Sequence, residues 1–307
     1  MRVWDELARD GLVSSGVKIG GLTTYKLGGP ARYYAEPKNR VELQRLLSAT
    51  GSAEVEVLII GRGSNLVVAD AGYDGLVIRL AGDFGETLIE TSRVTAGAAV
   101  SLPVLARAVA KEALTGLEFF VGVPGSVGGA VVMNAGCFGT ETSDVLITAD
   151  IIDLRSAEVR TATRHDLEMR YRSTNVSSND LVVGASFVVQ PGSREESEAR
   201  MREITRWRKE HQPGGTLNAG SVFKNPEGDA AGRIIDTMGL KGYGSGTVRV
   251  SERHANFFVA DADASAQDVW DLVRAVQRRV LDVAGIHLEP EIRFAGVFGS
   301  SAEEART

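Results

Sequence analysis

Cysteine is almost absent. The single Cys137 among 307 residues excludes an intrachain disulfide framework and any zinc site built mainly from thiolates. The four histidines, His165, His211, His254 and His287, are scattered without metal-ligand spacing, so no metal is expected. A basic excess is missing too. Lys and Arg number 34 against 40 Asp and Glu, for a net charge of -6, which advertises neither nucleic acid nor an anionic membrane as a partner. No stretch approaches the roughly 18 uninterrupted apolar residues of a membrane span. The opening MRVWDELARDG carries charges where a signal peptide needs an apolar run. These absences lead to the expectation of a cytoplasmic protein without membrane insertion; a monomer is compatible with them.

Apolar residues make up 43% of the chain, enough to bury a core. Glycine is abundant, with 35 residues against only 8 prolines, which implies many tight turns and close backbone approaches. The first half reads as short strands punctuated by glycine. Residues 55–60 form one β-branched run, GRGSN (61–65) interrupts it, 66–69 resume it, and 76–80 read as another strand. Before them, 41–49 have helical spacing with Asn39 as N-cap. Residues 86–100 alternate as strand, and a helix over 101–114 starts at Ser101 with Pro103 in its first turn. ITADIIDL and EVRTAT are strands flanking a turn at Arg155–Ser156, and LVVGASFVVQ is another strand. Composition shifts at 191–192 into a charged helix opened by Ser193 and Glu196. A short helix over 229–238 closes at Gly239. A longer one, 265–284, begins S-x-x-D with Ser265 and Asp268 and ends at Gly285, with the stripe Val269, Leu272, Val273, Val276 and Val280. The tail after Phe298 reads as frayed. The fold class expected is α+β, without the regular alternation of a barrel or doubly wound sheet.

GRGSN fails the Walker test, because Gly63 is followed by Ser64 and Asn65, and it fails the dinucleotide test, because a strand rather than a helix follows. It is either a hairpin turn or an anion-binding nest of backbone N–H groups between two strands. GVPGSVGGA (122–130) is either a tight crossing of two packed layers or a place where backbone lies against a flat or charged ligand. NAGSVFKNP (218–226) gathers polar groups around Ser221, but it is no nucleophile elbow. Read as a strand, LEPEIRF (288–294) projects Glu289, Glu291 and Arg293 on one face, either as a solvated surface or as acids tuned by an arginine. In YRSTN, Arg172 follows Tyr171 and suits a carboxylate or phosphate, or simply the surface. Cys137 reads as a buried small thiol.

These segments stand in one order along the chain: TTYKLGGPA (23–31), GRGSN, GVPGSVGGAVVMNAG (122–136), YR (171–172), NAGSVFKNP, VSERHANFFV (250–259) and LEPEIRF. Together they resemble the UDP-N-acetylenolpyruvoylglucosamine reductase family, over roughly residues 20–298. The compact chain, without an insertion carrying an extra clamping tyrosine, resembles the shorter variant.

The resemblance implies an FAD-binding fold of the vanillyl-alcohol-oxidase (PCMH) type, with subdomains at 1–82 and 83–192. It also implies a smaller α+β substrate domain at 193–290 and a C-terminal segment, 291–307, returning to the active site. It implies noncovalent FAD held by Tyr25, by Gly61, Arg62, Gly63, Ser64 and Asn65, and by Gly122, Pro124, Gly125, Ser126, Gly128, Gly129 and Asn134. Tyr25 stands where a His or Cys might tether a flavin. NADPH is the implied reductant and UDP-N-acetylglucosamine enolpyruvate the implied substrate, in peptidoglycan precursor synthesis. Hydride reaches the vinyl carbon, Arg172 and a protonated Glu291 stabilise the resulting enolate, and Ser221 supplies the proton. Tyr171, Asn225, Arg293 and Lys209 are implied substrate contacts, Lys209 from its spacing before Ser221 alone. An oxidase or dehydrogenase of the same fold has no reason to carry GSxFKNP with E-x-R. A non-catalytic nucleotide-binding protein would hold no flavin.

Overall fold

The computed structural model describes residues 2–50 and 55–299. The chain forms two compact units, each discontinuous. The first holds Met1–Gly16, Tyr33–Arg62 and Gly75–Arg208, and the second holds Val17–Arg32, Gly63–Asp74 and Lys209–Thr307.

In the first unit, helix Arg40–Thr50 starts where expected: the Asn39 side chain accepts from the Glu42 N–H at 2.9 Å. A mixed four-stranded sheet runs in the order Val13–Ser15, Ala31–Ala35, Tyr73–Ile78, Val57–Ile59. A five-stranded antiparallel sheet follows the order Val159–Ala162, Leu146–Asp153, Asp180–Val188, Arg93–Gly97, Thr87–Ile89. The single alternating segment expected over 86–100 is therefore a hairpin, Thr87–Ile89 paired with Arg93–Gly97. Its turn lacks the Asn-Gly or Asp-Gly pair that would mark it in sequence. Ser101 precedes helix Leu102–Lys111, but its side chain makes no cap bond. The residue instead bridges Ser126 through backbone. Ile78, Val94, Leu102, Leu105, Phe120, Ile151 and Phe187 fill this unit's core.

The second unit is built around helix Ala266–Ala284. Ser265 and Asp268 form the expected reciprocal cap, and Gly285 closes the helix at φ 68°. All five expected stripe residues are buried. They share a core with Tyr25, Val67, Phe223 and Phe258. A three-stranded sheet runs Gly244–Ser245, Val248–Val250, Phe258–Ala260. A parallel pair joins Leu66–Val68 to Arg293–Ala295. The strand expected over 288–294 thus begins only at Arg293, and the frayed tail falls almost wholly outside the described residues. Among the described residues no helix is long and apolar enough to cross a membrane, and no acidic, His or Cys cluster could hold a metal.

Candidate active site

GRGSN is not a hairpin. The strand before it, Val57–Ile59, pairs with Tyr73–Ile78, whereas the strand after it pairs with Arg293–Ala295. The loop carries the chain from the first unit into the second at Arg62 and Gly63. Gly63 has φ 62°, and a Cβ there would lie 2.6 Å from the Leu22 carbonyl oxygen and 2.7 Å from Thr23 Cα. Only glycine tolerates both demands. The Gly63 carbonyl accepts from the Thr24 N–H at 3.1 Å. Beside it, the Thr24 hydroxyl is buried with no hydrogen-bond partner among the described residues. A buried hydroxyl left unpaired is costly, and a bound group that supplied the partner would repay it. Thr24 lies inside TTYKLGGPA, yet sequence reasoning singled out its neighbour Tyr25. The Tyr25 side chain is wholly buried in the second core, where its hydroxyl donates to the Phe258 carbonyl at 2.9 Å. Burial raises its pKa far above the phenolic range.

Within the first unit, Gly61 lies against Ser126, for a Cβ at Gly61 would meet the Ser126 Oγ at 2.4 Å. The two glycine-rich segments therefore meet. Helix Val127–Met133 starts at Ser126, whose hydroxyl accepts from the Gly129 N–H. The N–H groups of Val127 and Gly128 are already given to Val100 and Ala98, so part of the expected cradle is spent on packing. Gly122 is likewise a close crossing, since a Cβ there would meet Cys137 Sγ at 2.6 Å. Cys137 donates to the Phe119 carbonyl, and burial pushes its thiol pKa up. That fits a packing thiol rather than a nucleophile. Pro124, Gly129 and Arg62 are exposed, whereas Gly125 is half-buried with its carbonyl accepting from the Leu102 N–H.

Arg172, also in the first unit, is mostly buried, with its guanidinium carbon 4.9 Å from the centre of the exposed Tyr171 ring. It donates to Glu141, to Asn134 and to Gly136.

In the second unit, 220–226 lie beside 288–293. Val222 accepts from both the Glu291 and Ile292 N–H groups, Lys224 donates its N–H to Glu289, and Phe223 bridges Pro290. Two successive N–H groups sharing one acceptor break the expected strict alternation of Glu289, Glu291 and Arg293. This pairing places Ser221, next to Val222, at the level of Glu291. Glu291 also offers its carbonyl to the Asn65 side chain at 2.9 Å, and Arg293 donates its N–H to the Asn65 carbonyl. Ser64 and Asn65 therefore adjoin the E-x-R segment. Glu289 is accounted for separately, as an exposed ion pair with Lys224 at 2.7 Å. Asn225, exposed, accepts from the Ala231 N–H at the start of helix Ala231–Thr237. Lys209 is exposed near the end of helix Arg194–His211, and its carbonyl accepts from Arg253.

Sequence reasoning missed Asn256. It is buried, accepts from the Phe223 N–H at 2.9 Å and donates to the Phe223 carbonyl at 2.8 Å, while its own carbonyl accepts from Val222. It acts as a one-residue strand partner for the segment carrying Ser221. Its place in VSERHANFFV was the only available signal. Asn256→Ala should leave the Phe223 N–H and C=O buried and unpaired. At roughly 1–3 kcal/mol for each orphaned group, Tm should fall by roughly 5–10 °C or more. An unchanged Tm in thermal unfolding followed by circular dichroism would show that Asn256 does not hold this segment.

Residues 31–183 match the family described as FAD binding domain, and residues 212–295 match UDP-N-acetylenolpyruvoylglucosamine reductase, C-terminal domain. The chain is 42% identical over 294 residues to a UDP-N-acetylenolpyruvoylglucosamine reductase of Synechococcus sp. (strain WH7803), covering 93% of this chain and 94% of that one. It is 42% identical over 285 residues to the reductase of Methylorubrum extorquens (strain PA1), covering 92% of each. The crystal structure of the corresponding reductase from Thermus caldophilus superposes with a TM-score of 0.79 at 34% identity, covering 92% of this chain and 98% of that one.

Proposed function

Because the chain belongs to the UDP-N-acetylenolpyruvoylglucosamine reductase family, we propose that its substrate is UDP-N-acetylglucosamine enolpyruvate and that Ser221, Arg172 and Glu291 carry out the reduction. Its fold is the α+β FAD-binding fold of the vanillyl-alcohol-oxidase type with the reductase C-terminal domain. It is an FAD-dependent reductase of peptidoglycan precursor synthesis that uses NADPH, and its length matches the shorter variant of the family. A nucleotide-sugar substrate and an NADPH reductant suit the cytoplasm.

The observation that carries the residue assignment is the pairing of 220–226 with 288–293, which sets Ser221 at the level of Glu291. The residues present fit a flavin dinucleotide. Beside Gly63 the Thr24 hydroxyl is buried and, among the described residues, has no hydrogen-bond partner, and Gly61 packs on Ser126. Gly61–Asn65 and the 122–129 region, with Asn134 behind it, would hold the cofactor. When bound, FAD takes reducing equivalents from NADPH and supplies hydride to the terminal vinyl carbon of the substrate.

The substrate is an enol ether conjugated to a carboxylate. Hydride addition leaves negative charge on the adjacent carbon, spread into the carboxylate as an enolate. Arg172 and Glu291 receive that charge, because donors fixed before the reaction stabilise it without reorganising. Ser221 then protonates the carbon. A serine hydroxyl is a weak acid, but the enolate is a strong base and the geometry is held by Asn256. Tyr171, Lys209, Asn225 and Arg293 contact the substrate's carboxylate, phosphates or sugar.

The reading is tested by reducing the FAD-loaded protein with NADPH under anaerobic conditions and then mixing it with substrate or, separately, with dioxygen. Fast reoxidation by substrate is expected; fast reoxidation by dioxygen alone would make the protein an oxidase. Within this scheme Glu291→Gln should slow reoxidation by substrate far more than Glu289→Gln, which removes only an exposed ion pair worth about 0–1 kcal/mol. Near-native turnover in both variants would remove Glu291 from the chemistry.

A further inference from the structure

We infer that Glu141 is a positioning residue that fixes the Arg172 guanidinium and is itself held by Asn134, an inference resting on the role given to Arg172 above. The backbone of this region turns three times through a left-handed conformation at non-glycine residues: Asn134 at φ 42°, Phe138 at 55° and Arg172 at 51°. Such conformations persist where the surroundings over-determine them, and they gather at working sites. Asn134 closes helix Val127–Met133, and the chain then makes a tight hairpin, Gly136–Cys137 against Thr140–Glu141.

Arg172 is held on this hairpin by three acceptors. One terminal nitrogen donates to the Asn134 carbonyl at 3.2 Å and to Glu141 Oε1 at 3.0 Å; the other donates to the Gly136 carbonyl at 2.8 Å. Glu141 Oε2 accepts from Asn134 Nδ2 at 2.9 Å. Asn134, wholly buried, is locked by donating to the Arg170 carbonyl and accepting from the Ser143 N–H. The Glu141 carboxylate also accepts from the Asp144 N–H.

Asn134, Arg172 and the Asp144 N–H thus all donate to this carboxylate. The side chains of Arg172 and Glu141 are only 16% and 28% exposed, so their interaction is screened less than a surface pair. A planar guanidinium tied at three points has one orientation. Removing the carboxylate takes away the charged one of these three acceptors and lets the guanidinium shift on the neutral ones. Misplacement by about 1 Å can cost ~10²-fold in rate.

The test uses the FAD-loaded full chain with Glu141→Gln, Arg172→Lys and the double variant, followed in two half-reactions by anaerobic stopped flow. In Glu141→Gln, flavin reduction by NADPH and FAD content should stay near wild type and Tm should fall by no more than the few degrees a weakened cap costs, while reoxidation by UDP-N-acetylglucosamine enolpyruvate slows by ~10²-fold. The double variant should be little slower than Arg172→Lys alone, because both changes disable one unit. Glu141→Asp keeps the charge on a shorter arm, should recover part of the rate, and serves if the glutamine variant does not fold. Wild-type reoxidation in Glu141→Gln alongside a slow Arg172→Lys would overturn the positioning role and leave the reading of Arg172 intact. Unimpaired reoxidation in Arg172→Lys would instead sink that reading and this inference with it. Equal loss in both half-reactions with a lowered Tm would make Glu141 a helix cap and nothing more.

Discussion

Gly63→Val is expected to purify folded but without FAD. Gly63 occupies a left-handed conformation that a β-branched residue does not adopt, and its Cβ would collide with backbone at Leu22 and Thr23. Those atoms cannot rotate away as a side-chain tip could. Relief has to come from shifting 61–65 against 22–24, the place of the buried Thr24 hydroxyl. The buried residues of the two cores lie outside the five-residue loop, so secondary structure should survive. The ratio of flavin to protein absorbance, read beside a circular dichroism spectrum, checks this. Gly63→Ala, which lacks the second branch, should retain more flavin than the valine variant. A folded valine variant carrying as much FAD as wild type would place the cofactor elsewhere.

Ser221→Ala should separate the two halves of the reaction. Reduction by NADPH needs no proton from this hydroxyl, whereas quenching the enolate does. Flavin bleaching should therefore run at its normal rate, and recovery with the enolpyruvyl substrate should slow by ~10²–10⁴-fold, the range for a lost general acid. The segment is anchored through Val222, Phe223 and Asn256, so the fold should survive the loss of one oxygen at Ser221. Ser221→Cys should regain part of the rate, since a thiol can donate a proton although its larger sulfur displaces it. Equal loss of both halves would make Ser221 a binding or structural residue. Loss of neither would mean the proton comes from another group.

Much of the fold was legible because it is written locally. Helix Ala266–Ala284 carries its N-cap, its apolar stripe and its closing glycine within one contiguous stretch, and all of them function as read. The same holds for Asn39, and the turn expected at Arg155–Ser156 is present, with both N–H groups donating to the Asp153 carboxylate. What escaped was long-range. Asn65 meets Glu291 across 226 positions and Asn256 meets Phe223 across 33, and no local pattern encodes either contact. LEPEIRF alternates like a strand, yet regular pairing starts only at Arg293, because Pro290 has no N–H to give and Val222 takes both following donors. The candidate site was visible as an ordered set of motifs. The residues that hold it, Asn256 and Glu141, were not, because their roles depend on which backbone they meet.

The central claim is that this chain adds hydride to the vinyl carbon of UDP-N-acetylglucosamine enolpyruvate and a solvent-exchangeable proton, passed through Ser221, to the carbon beside it. The most direct measurement is a turnover in deuterium oxide with unlabelled NADPH, with the product examined by mass spectrometry and proton NMR. The account predicts UDP-N-acetylmuramate carrying deuterium at the carbon that bears the ether oxygen; the methyl group carries it only to the extent that hydrogen relayed through a flavin nitrogen exchanges with solvent before transfer. Deuterium in the methyl group alone, or no reduced product at all, would contradict it.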